Sequence, residues 1–382
     1  MATPVSIVKC QNYDENEVLK AIQQSVDLIG GIHAFVKRGD RVLLKPNLLY
    51  GKSPEKAVTT HPAVVKGVIQ IVKEVGGIPF LGDSPGLESA KRVTEKAGIK
   101  TVADSLGCPI IEFNRPVLPP GRQGKVFKNI EIDQAIFEAD VIINLPKWKT
   151  HGQMLLTLGI KNLFGCVPGT RKALWHIKAG EDHKLFAQML VDIYCLIQPS
   201  LTILDGIVGM EGNGPNSGQP IPLGLILASS DPLCLDQIVC DLIGIPWKSL
   251  LTNRVAFEQG LGKGGVVAVG KSIEEVKIKN FNLPSFQRID WNLPGFIRKP
   301  LKNAFDSKPV VNKEICKECN QCIKFCPPEA IKANKKGLIF DYGKCIRCFC
   351  CQEICPEGAI IIQPGWATKL IGGKSKIESG MV

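Results

Sequence analysis

The chain has 382 residues, too many for one compact core and typical of two domains or of one large domain with a small module. Hydrophobic residues make up 45% and charged residues 22%, which excludes intrinsic disorder, collagen-like chains and coiled coils as descriptions of the whole chain. The formal net charge of +11 favours anionic partners, and nine of the fifteen cysteines lie between Cys316 and Cys355.

The amino-terminal region has neither the basic flank nor the apolar run of a secretory leader. Apolar stretches in the rest of the chain stay below the roughly 18 to 20 residues that a membrane-spanning helix needs. We therefore expect a cytoplasmic protein without a membrane span, whose thiols are reduced or bound to metal.

Residues 1–280 alternate between apolar strands and amphipathic helices. This pattern predicts an α/β domain with a mostly parallel sheet and helices on both faces, in Rossmann-like layers. Strands are predicted at 4–10, 40–49, 78–83, 108–113, 140–146, 201–209 and 222–230, and helices at 15–29, 62–75, 89–97, 132–138, 185–197 and 232–243.

Several of the predicted strands end in polar loops that are rich in glycine and proline. Ligands of open α/β sheets bind outside the carboxyl ends of the strands, so these loops are the candidate pocket wall. The loops are KPNLLYG, GDSPG, LPKWKTHG, DGIVGMEGNGP and SSDP, which begin at residues 45, 82, 145, 205 and 229.

Basic and polar side chains are concentrated in these loops. Ammonium groups that converge on one pocket favour a carboxylate or phosphate ligand, and Lys147 and Lys149 share a side of an extended chain because they are two residues apart. The alternative is that these lysines are solvated at the surface. The candidate substrate-binding residues are Lys45, Asn47, Asp83, Lys147, Lys149 and Lys161.

Two residues are candidates for acid–base catalysis. His151 follows the lysine-rich segment 147–149 and titrates near neutral pH, and Asp205 ends a predicted strand close to Glu211.

The remaining polar residues near the loops are expected to have structural roles. His61 precedes the proline that begins a helix, Asp83 and Asp231 can also cap loops by accepting backbone hydrogen bonds, and His176 and His183 are expected at the surface. Cys166 is expected to be a buried structural cysteine. Residues 212–218 form a glycine-rich loop that can bind an anion with backbone amides, but they match neither a dinucleotide fingerprint nor a P-loop.

Residues 281–310 break the α/β pattern with four prolines. They also hold aromatic residues at 281, 286, 291, 296 and 305, too many for a free linker. We expect this segment to pack along both domains. A contact of residues 296–299 with a membrane surface is the alternative.

The cysteines of residues 311–363 form two C-x2-C-x2-C-x3-C-P runs, which is the spacing of bacterial ferredoxins with two clusters. In that arrangement the fourth cysteine of each run reaches the other cluster, and Cys350 is left over as a bystander. A pair of zinc sites is the alternative, but two complete quartets fit zinc poorly. The expected ligands of two [4Fe–4S] clusters are Cys316, Cys319, Cys322 and Cys355 for cluster 1, and Cys345, Cys348, Cys351 and Cys326 for cluster 2.

The two runs lie in nearly matching segments, KEICKECNQCIKFCPPEAI and YGKCIRCFCCQEICPEGAI. A duplicated half of strand, cluster loop, helix and strand is therefore predicted. Residues 364–382 are expected to form a frayed tail.

Seven motifs of the α/β region occur in an order that resembles the DUF362 family, whose members often carry a ferredoxin module. They are KPNLL (45–49), THPAVV (60–65), GDSPG (82–86), INLPKWKTH (143–151), GIKNLFG (159–165), LDGIVGMEGNGP (204–215) and SSDPLCLD (229–236). The resemblance covers about residues 5–245 and implies the fold class and the clusters. It implies little about the reaction, because the members of the family are uncharacterised.

These features lead to two hypotheses of function. The first is a reductase that takes single electrons from a small carrier protein and passes them to an anionic small molecule, which the loop lysines bind. The second is a non-catalytic electron-transfer subunit or assembly factor, whose lysines steer an acidic partner. Nucleic-acid binding is disfavoured, because the sequence has no helix-turn-helix signal and no basic stripe interleaved with aromatics.

Overall fold

The structure is a computed structural model that describes residues 2–284 and 304–367, apart from residues 87, 170 and 336. The larger part contains ten α-helices and twelve strands. The helices are α1 (Glu15–Asp27), α2 (Pro62–Glu74), α3 (Ala90–Lys96), α4 (Ile99–Ser105), α5 (Ala135–Glu138), α6 (Gly159–Asn162), α7 (Arg171–Ala179), α8 (His183–Ile197), α9 (Pro232–Leu242) and α10 (Leu251–Glu258).

The strands of this part are β1 (Thr3–Lys9), β2 (Arg41–Pro46), β3 (Ile78–Asp83), β4 (Ile110–Glu112), β5 (Pro116–Val117), β6 (Ile132–Asp133), β7 (Val141–Leu145), β8 (Lys147–His151), β9 (Leu155–Thr157), β10 (Leu201–Glu211), β11 (Gln219–Ser229) and β12 (Val266–Gly270). Ten of them form one sheet with the main order β12-β1-β11-β10-β7-β2-β3-β4. β11 runs antiparallel to both of its neighbours, whereas the other pairs along this path are parallel. The predicted α/β fold with a mostly parallel sheet is thus confirmed.

Helices cover both faces of the sheet. Leu44 and Ile143 pack with α1 and α2 on one face, and their neighbours Leu43 and Ile142 pack with α8 on the other. Successive side chains of a strand point to opposite faces, so a strand covered on both sides is apolar throughout. This is why β2 and β7 appear in the sequence as continuous apolar runs.

The secondary structure differs from the sequence expectation in several places, and α4 and α10 were not predicted. Residues 132–138, expected to be one helix, form β6 and the four-residue helix α5. Residues 147–151, expected to be a loop, form β8, which pairs with β10 and β9 and is buried along its length. The polar segment 171–179 forms α7, and His176 and His183 are 4% and 3% exposed, so their expected place at the surface was wrong.

The smaller part is a duplicated unit. β13 (Lys308–Val311), α11 (Gln321–Lys324) and β14 (Ile331–Asn334) form the first half, and β15 (Gly337–Phe340), α12 (Cys350–Glu353) and β16 (Ile360–Gln363) form the second. β13 pairs antiparallel with β16, and β14 pairs antiparallel with β15, so strands of the two halves pair with each other. We call residues 308–363 the module.

The start of the predicted linker packs on the α/β part. The ring of Phe281 lies 6.4 Å from that of Trp148, and the amide of Gly212 donates a 2.7 Å hydrogen bond to the carbonyl of Asn282. The proposed membrane contact and most of the linker fall in residues 285–303, and most of the tail falls in residues 368–382. Both ranges lie outside the described residues. No helix in the described part of the chain is long and apolar enough to cross a bilayer.

Candidate functional site

The structure brings together the cysteines of each predicted quartet. Cys316, Cys319, Cys322 and Cys355 line one small cavity of about 330 Å³. A second cavity of about 290 Å³ is lined by Cys326, Cys345, Cys348 and Cys351. In each cavity the fourth cysteine comes from the other half of the duplicated unit, as the spacing predicts for two clusters.

The surroundings of the cysteines fit iron–sulfur clusters. The amides of Ala330 and Ala359 each lie 3.2 Å from a cysteine sulfur, those of Cys326 and Cys355 respectively. Such hydrogen bonds stabilise the negative charge of a cluster thiolate. Four sulfurs facing one enclosed cavity, twice over, are a suitable donor set for two [4Fe–4S] clusters.

The module docks on the α/β part through the glycine-rich loop 212–218. The side-chain amide of Gln352 donates hydrogen bonds of 2.8 Å and 2.9 Å to the carbonyls of Asn213 and Gly214. The side-chain amide of Asn216 donates a 3.0 Å hydrogen bond to the carbonyl of Cys355. This loop, expected from the sequence to be an anion cradle, thus binds the module.

A cavity of about 970 Å³, including its open mouth, lies between the two parts, and we call it the interface cavity. Its α/β wall contains the ends of β2, β3 and β8 together with α6 and α7. Its module wall is mostly apolar and comes from both halves of the duplicated unit. The module wall consists of Phe325, Pro327, Cys350, Glu353 and Ile354.

Lys45 and Asp83 form an ion pair in the interface cavity. The Lys45 Nζ lies 3.0 Å from an Asp83 carboxylate oxygen, and both side chains are buried. Asp83 also accepts hydrogen bonds of 2.8 Å from the amides of Leu48 and Ser84. Asp83 therefore both caps the loop after β3, as expected, and neutralises one lysine of the cavity.

Lys149 extends from β8 to the floor of the cavity and is 1% exposed. Its ammonium donates hydrogen bonds of 2.7 Å to Asn47 Oδ1 and 2.6 Å to the carbonyl of Val58. These acceptors are neutral, so they do not offset the loss of water around the charge. Burial lowers the pKa of Lys149 well below its ordinary value.

Lys161 and Lys172 lie on the same side of the cavity. The Lys161 Nζ lies 5.2 Å from the centre of the Phe164 ring, a cation–π contact. Lys172 donates a 2.6 Å hydrogen bond to the carbonyl of Ser84. Burial lowers the pKa of both lysines, that of Lys172 to about 7.

His151, at the end of β8, faces the module. Its Nδ1 accepts hydrogen bonds from the amides of Gln153 and Met154, and its Nε2 lies 2.9 Å from a carboxylate oxygen of Glu353. Burial and the charge of Lys161 lower the pKa of His151 to about 4, although Glu353 opposes the shift. The imidazole is therefore largely neutral at pH 7, so the protonated form that a general acid needs is scarce, and a catalytic role of His151 stays a prediction.

Lys147 and Asp205, both expected in the pocket, lie outside the lining of the interface cavity. The Lys147 Nζ lies 2.8 Å from Asp205, and Tyr13 bonds both residues through its hydroxyl, at 2.7 Å from Lys147 and 2.8 Å from Asp205. The amide of His61 donates a further 2.9 Å hydrogen bond to Asp205. These protein contacts favour a structural role for the buried pair, and a catalytic role of Asp205 stays a prediction.

Other expectations agree with the structure. His61 and Asp231 cap α2 and α9 by accepting backbone hydrogen bonds from Ala63 and Leu233. Cys166 is fully buried, and burial raises the pKa of its thiol to about 12, as suits a structural cysteine.

Several residues of the interface cavity were missed from the sequence, among them Asn162, which ends α6. Lys172 and His176 lie on α7, Thr157 ends β9, and Glu353 belongs to α12 of the module. Trp175 and Ala179 could have indicated the helix at 171–179, because two apolar residues four positions apart lie on one helix face. Both pack in the core behind α7. No local sequence pattern predicts that Glu353 lines the cavity, because its position depends on how the module docks on the α/β part.

Comparison with known proteins gives two family matches. Residues 42–241 match the domain of unknown function DUF362, and residues 308–356 match a 4Fe-4S dicluster domain.

The chain is 40% identical over 311 residues to a thylakoid-associated protein of Synechocystis sp., covering 80% of this chain and 95% of that protein. It is also 36% identical over 74 residues to pyruvate synthase subunit PorD of Thermotoga maritima, covering 19% of this chain and 74% of that subunit.

Among solved structures, lactate racemase apoprotein from Thermoanaerobacterium thermosaccharolyticum is 13% identical with a TM-score of 0.39. The match covers 60% of this chain and spans about half of that structure, 54% of its length. A similarity this low carries no argument about function.

The dicluster match agrees with the two cysteine-lined cavities, so the chain is an iron–sulfur electron-transfer protein with [4Fe–4S] clusters. The DUF362 match spans more than half of the chain, and the Synechocystis relative is matched along almost its whole length. The protein belongs to the DUF362 family.

Proposed function

We propose that the protein is a reductase whose substrate, a small anion, binds in the interface cavity. The observation that carries this proposal is the composition of the cavity's two walls. Four lysines line the α/β wall, whereas the module wall includes Cys350 and Glu353, on the helix that also holds Cys351. A molecule in this cavity touches a cationic site and the helix that carries Cys351 of the second quartet.

The lysines provide binding and charge stabilisation. Lys149 and Lys161 line a partly enclosed space, where an anion is attracted more strongly than at the open surface. Asn47 and Asn162 hold each other and Lys45 in place through hydrogen bonds of 2.8 Å and 3.3 Å. The anion-binding groups are therefore positioned before the ligand arrives.

We assign proton delivery to Lys172, because an acid with a pKa of about 7 is half protonated at neutral pH and can be restored from solvent. When bound, the two clusters supply electrons one at a time, drawn from an external carrier protein. Cys319 of the first quartet is exposed, whereas three cysteines of the second quartet are buried beside the cavity. We therefore propose that the carrier docks on the side of Cys319.

A second candidate is an electron-transfer subunit without a substrate of its own. The module is similar to PorD, a subunit of pyruvate synthase, and this similarity favours the idea. As such a subunit, the protein would bind an acidic partner through the lysines of its α/β part.

We also propose that the protein is cytoplasmic. Its Synechocystis relative is a thylakoid-associated protein.

The test uses the holoprotein, reduced anaerobically and freed of excess reductant. Candidate anions are added, and reoxidation is followed by visible absorption. At least one anion should reoxidise the protein, and Lys161→Gln should slow reoxidation at low anion concentration by about tenfold, as expected from losing one charge-assisted hydrogen bond of ~1.5–3 kcal/mol.

Lys178→Gln is the matched control, because Lys178 is exposed on the same helix as Lys172 and does not line the cavity. It should leave the rate unchanged. If no anion reoxidises the protein, but a co-purifying protein accepts its electrons stoichiometrically, the second candidate replaces the first.

A further inference from the structure

The charges of the interface cavity are unevenly matched. Lys45 is paired with Asp83, and Glu353 lies against His151. Within the described residues, no carboxylate forms an ion pair with the three remaining lysines of the lining, Lys149, Lys161 and Lys172. The cavity thus gathers one buried and two half-buried lysines without an ion-pair partner, and the carboxylates of Glu353 and Asp83 oppose their charge only from a greater distance.

Burying an ammonium group without a counter-charge is unfavourable, and proteins usually pair it or leave it in water. Lys147 has a carboxylate oxygen 2.8 Å from its ammonium group. Within the described residues, none of the three cavity lysines has such an ion-pair partner. Their hydrogen-bond acceptors, where they have them, are a side-chain amide and two backbone carbonyls. An arrangement of this kind is suited to an anion that comes from outside.

Two further polar atoms support a ligand. Thr157 and His176 line the cavity and are 4% exposed each. Within the described residues, Thr157 Oγ1 and His176 Nδ1 are buried without a hydrogen-bond partner. Buried polar atoms almost always have partners, so these two indicate groups that a bound molecule would satisfy.

We propose that the ligand of the interface cavity is a small dianion, such as a dicarboxylate or a phosphorylated or sulfated acid, rather than a monocarboxylate. The inference rests on the proposed function, since it specifies the substrate class of the same site. Glu353 contributes one negative charge to the cavity, because its neighbour His151 is largely neutral at pH 7. A dianion supplies the two further negative charges that match Lys149, Lys161 and Lys172, whereas a monoanion leaves one of these lysines unmatched.

The size and lining of the cavity restrict the ligand further. The cavity holds a molecule of metabolite size, and its module wall offers apolar contacts from Phe325, Pro327 and Ile354. The charged end of the ligand therefore faces the α/β wall, and its uncharged part faces the module.

The test measures equilibrium binding to the oxidised holoprotein by calorimetry at constant ionic strength. Sulfate is compared with nitrate, and succinate with succinamate, in which one carboxylate is replaced by an amide. Sulfate stays a dianion from pH 6 to pH 9, so changes across this range belong to the protein. The dianion of at least one pair should bind about tenfold tighter or more, since a second charge near an ammonium adds Coulomb attraction at intermediate dielectric.

Variants locate the effect. Lys161→Gln and Lys172→Gln should each weaken sulfate binding by about tenfold, whereas Lys161→Arg, which keeps the charge, should preserve it and show that the site still folds. Lys178→Gln should change the dissociation constant by less than about twofold.

The idea is wrong if, in both pairs, the dianion binds no tighter than the monoanion or does not bind, or if Lys161→Gln leaves the preference unchanged. This outcome is separable from failure of the reductase proposal, because binding is measured without turnover. If the protein prefers dianions but is never reoxidised by them, the dianion site stands and the reductase proposal fails. If it is reoxidised only by monoanions, the reductase proposal stands and the dianion site fails.

Discussion

The two lysines of β8 have different partners, although they lie on the same strand. Lys147 and Lys149 are two residues apart, and both are 1% exposed. Lys147 is held by Asp205 and by the hydroxyl of Tyr13, whereas Lys149 is held by neutral acceptors and lines the interface cavity. Lys147 thus has a counter-charge within the protein, whereas Lys149 has no carboxylate in an ion pair with it within the described residues.

The difference separates structural charge from functional charge. A buried lysine with a carboxylate partner needs nothing further, and removing it leaves that carboxylate alone. A buried lysine without such a partner is held in an unfavourable environment by the surrounding fold, as expected of a binding site. Two cysteines of the module differ in a similar way. Cys348 lines a quartet cavity, whereas Cys350, two residues later, lines the interface cavity.

The largest effect is expected from Lys147→Met. This change leaves Asp205 buried without its counter-charge, so the free energy of unfolding should fall by about 3–5 kcal/mol. Lys149→Met removes a charge that has no carboxylate partner and should cost less, about 1–3 kcal/mol, for the hydrogen bonds to Asn47 and Val58. Denaturation of the oxidised holoprotein in urea measures both.

The double variant Lys147→Met with Asp205→Asn should recover part of the loss, because it removes both charges. Equal destabilisation by Lys147→Met and Lys149→Met would contradict the contrast between the two lysines of β8.

An intermediate effect is expected from pH on sulfate binding. Lys172 faces Asp83, which raises its pKa, and Lys45 and Lys161, which lower it; Cys166 is neutral because its own pKa is about 12. Below pH 7 Lys172 is already an ammonium. Above pH 7 it must first gain a proton, so the dissociation constant should rise by up to about tenfold per pH unit.

Lys172→Arg provides the control for this prediction, since arginine stays charged throughout the range. The rise in dissociation constant above pH 7 should become shallower in this variant. An unchanged pH profile would show that Lys172 is not the titrating group.

The smallest effect is expected at Cys350. Cys350→Ser should keep about eight irons per chain, because both quartets stay complete, whereas Cys348→Ser should lose about four. Iron analysis of anaerobically purified protein, with visible spectra, distinguishes the two variants. Loss of iron from Cys350→Ser would mean that Cys350, not its neighbour two residues earlier, belongs to the second quartet.

Local patterns in the sequence predicted much of the fold. The apolar runs of β2 and β7, the proline and capping residues that begin α2 and α9, and the two cysteine runs all depend on near neighbours in the chain. Cluster spacing is a property of a few consecutive residues, and strand and helix periods extend over one element. Features of this kind are visible without a structure.

The charge state and partners of the site residues were decided by tertiary structure. The sequence placed Lys45, Lys149 and Lys161 in one candidate pocket, but it could not separate them from Lys147, whose partner Asp205 lies 58 residues away along the chain. It also made His151 a candidate for proton delivery, but burial lowers the pKa of His151, although Glu353 of the module opposes the shift. A pKa and an ion pair depend on which distant groups come within a few ångströms, and only the docked fold determines that.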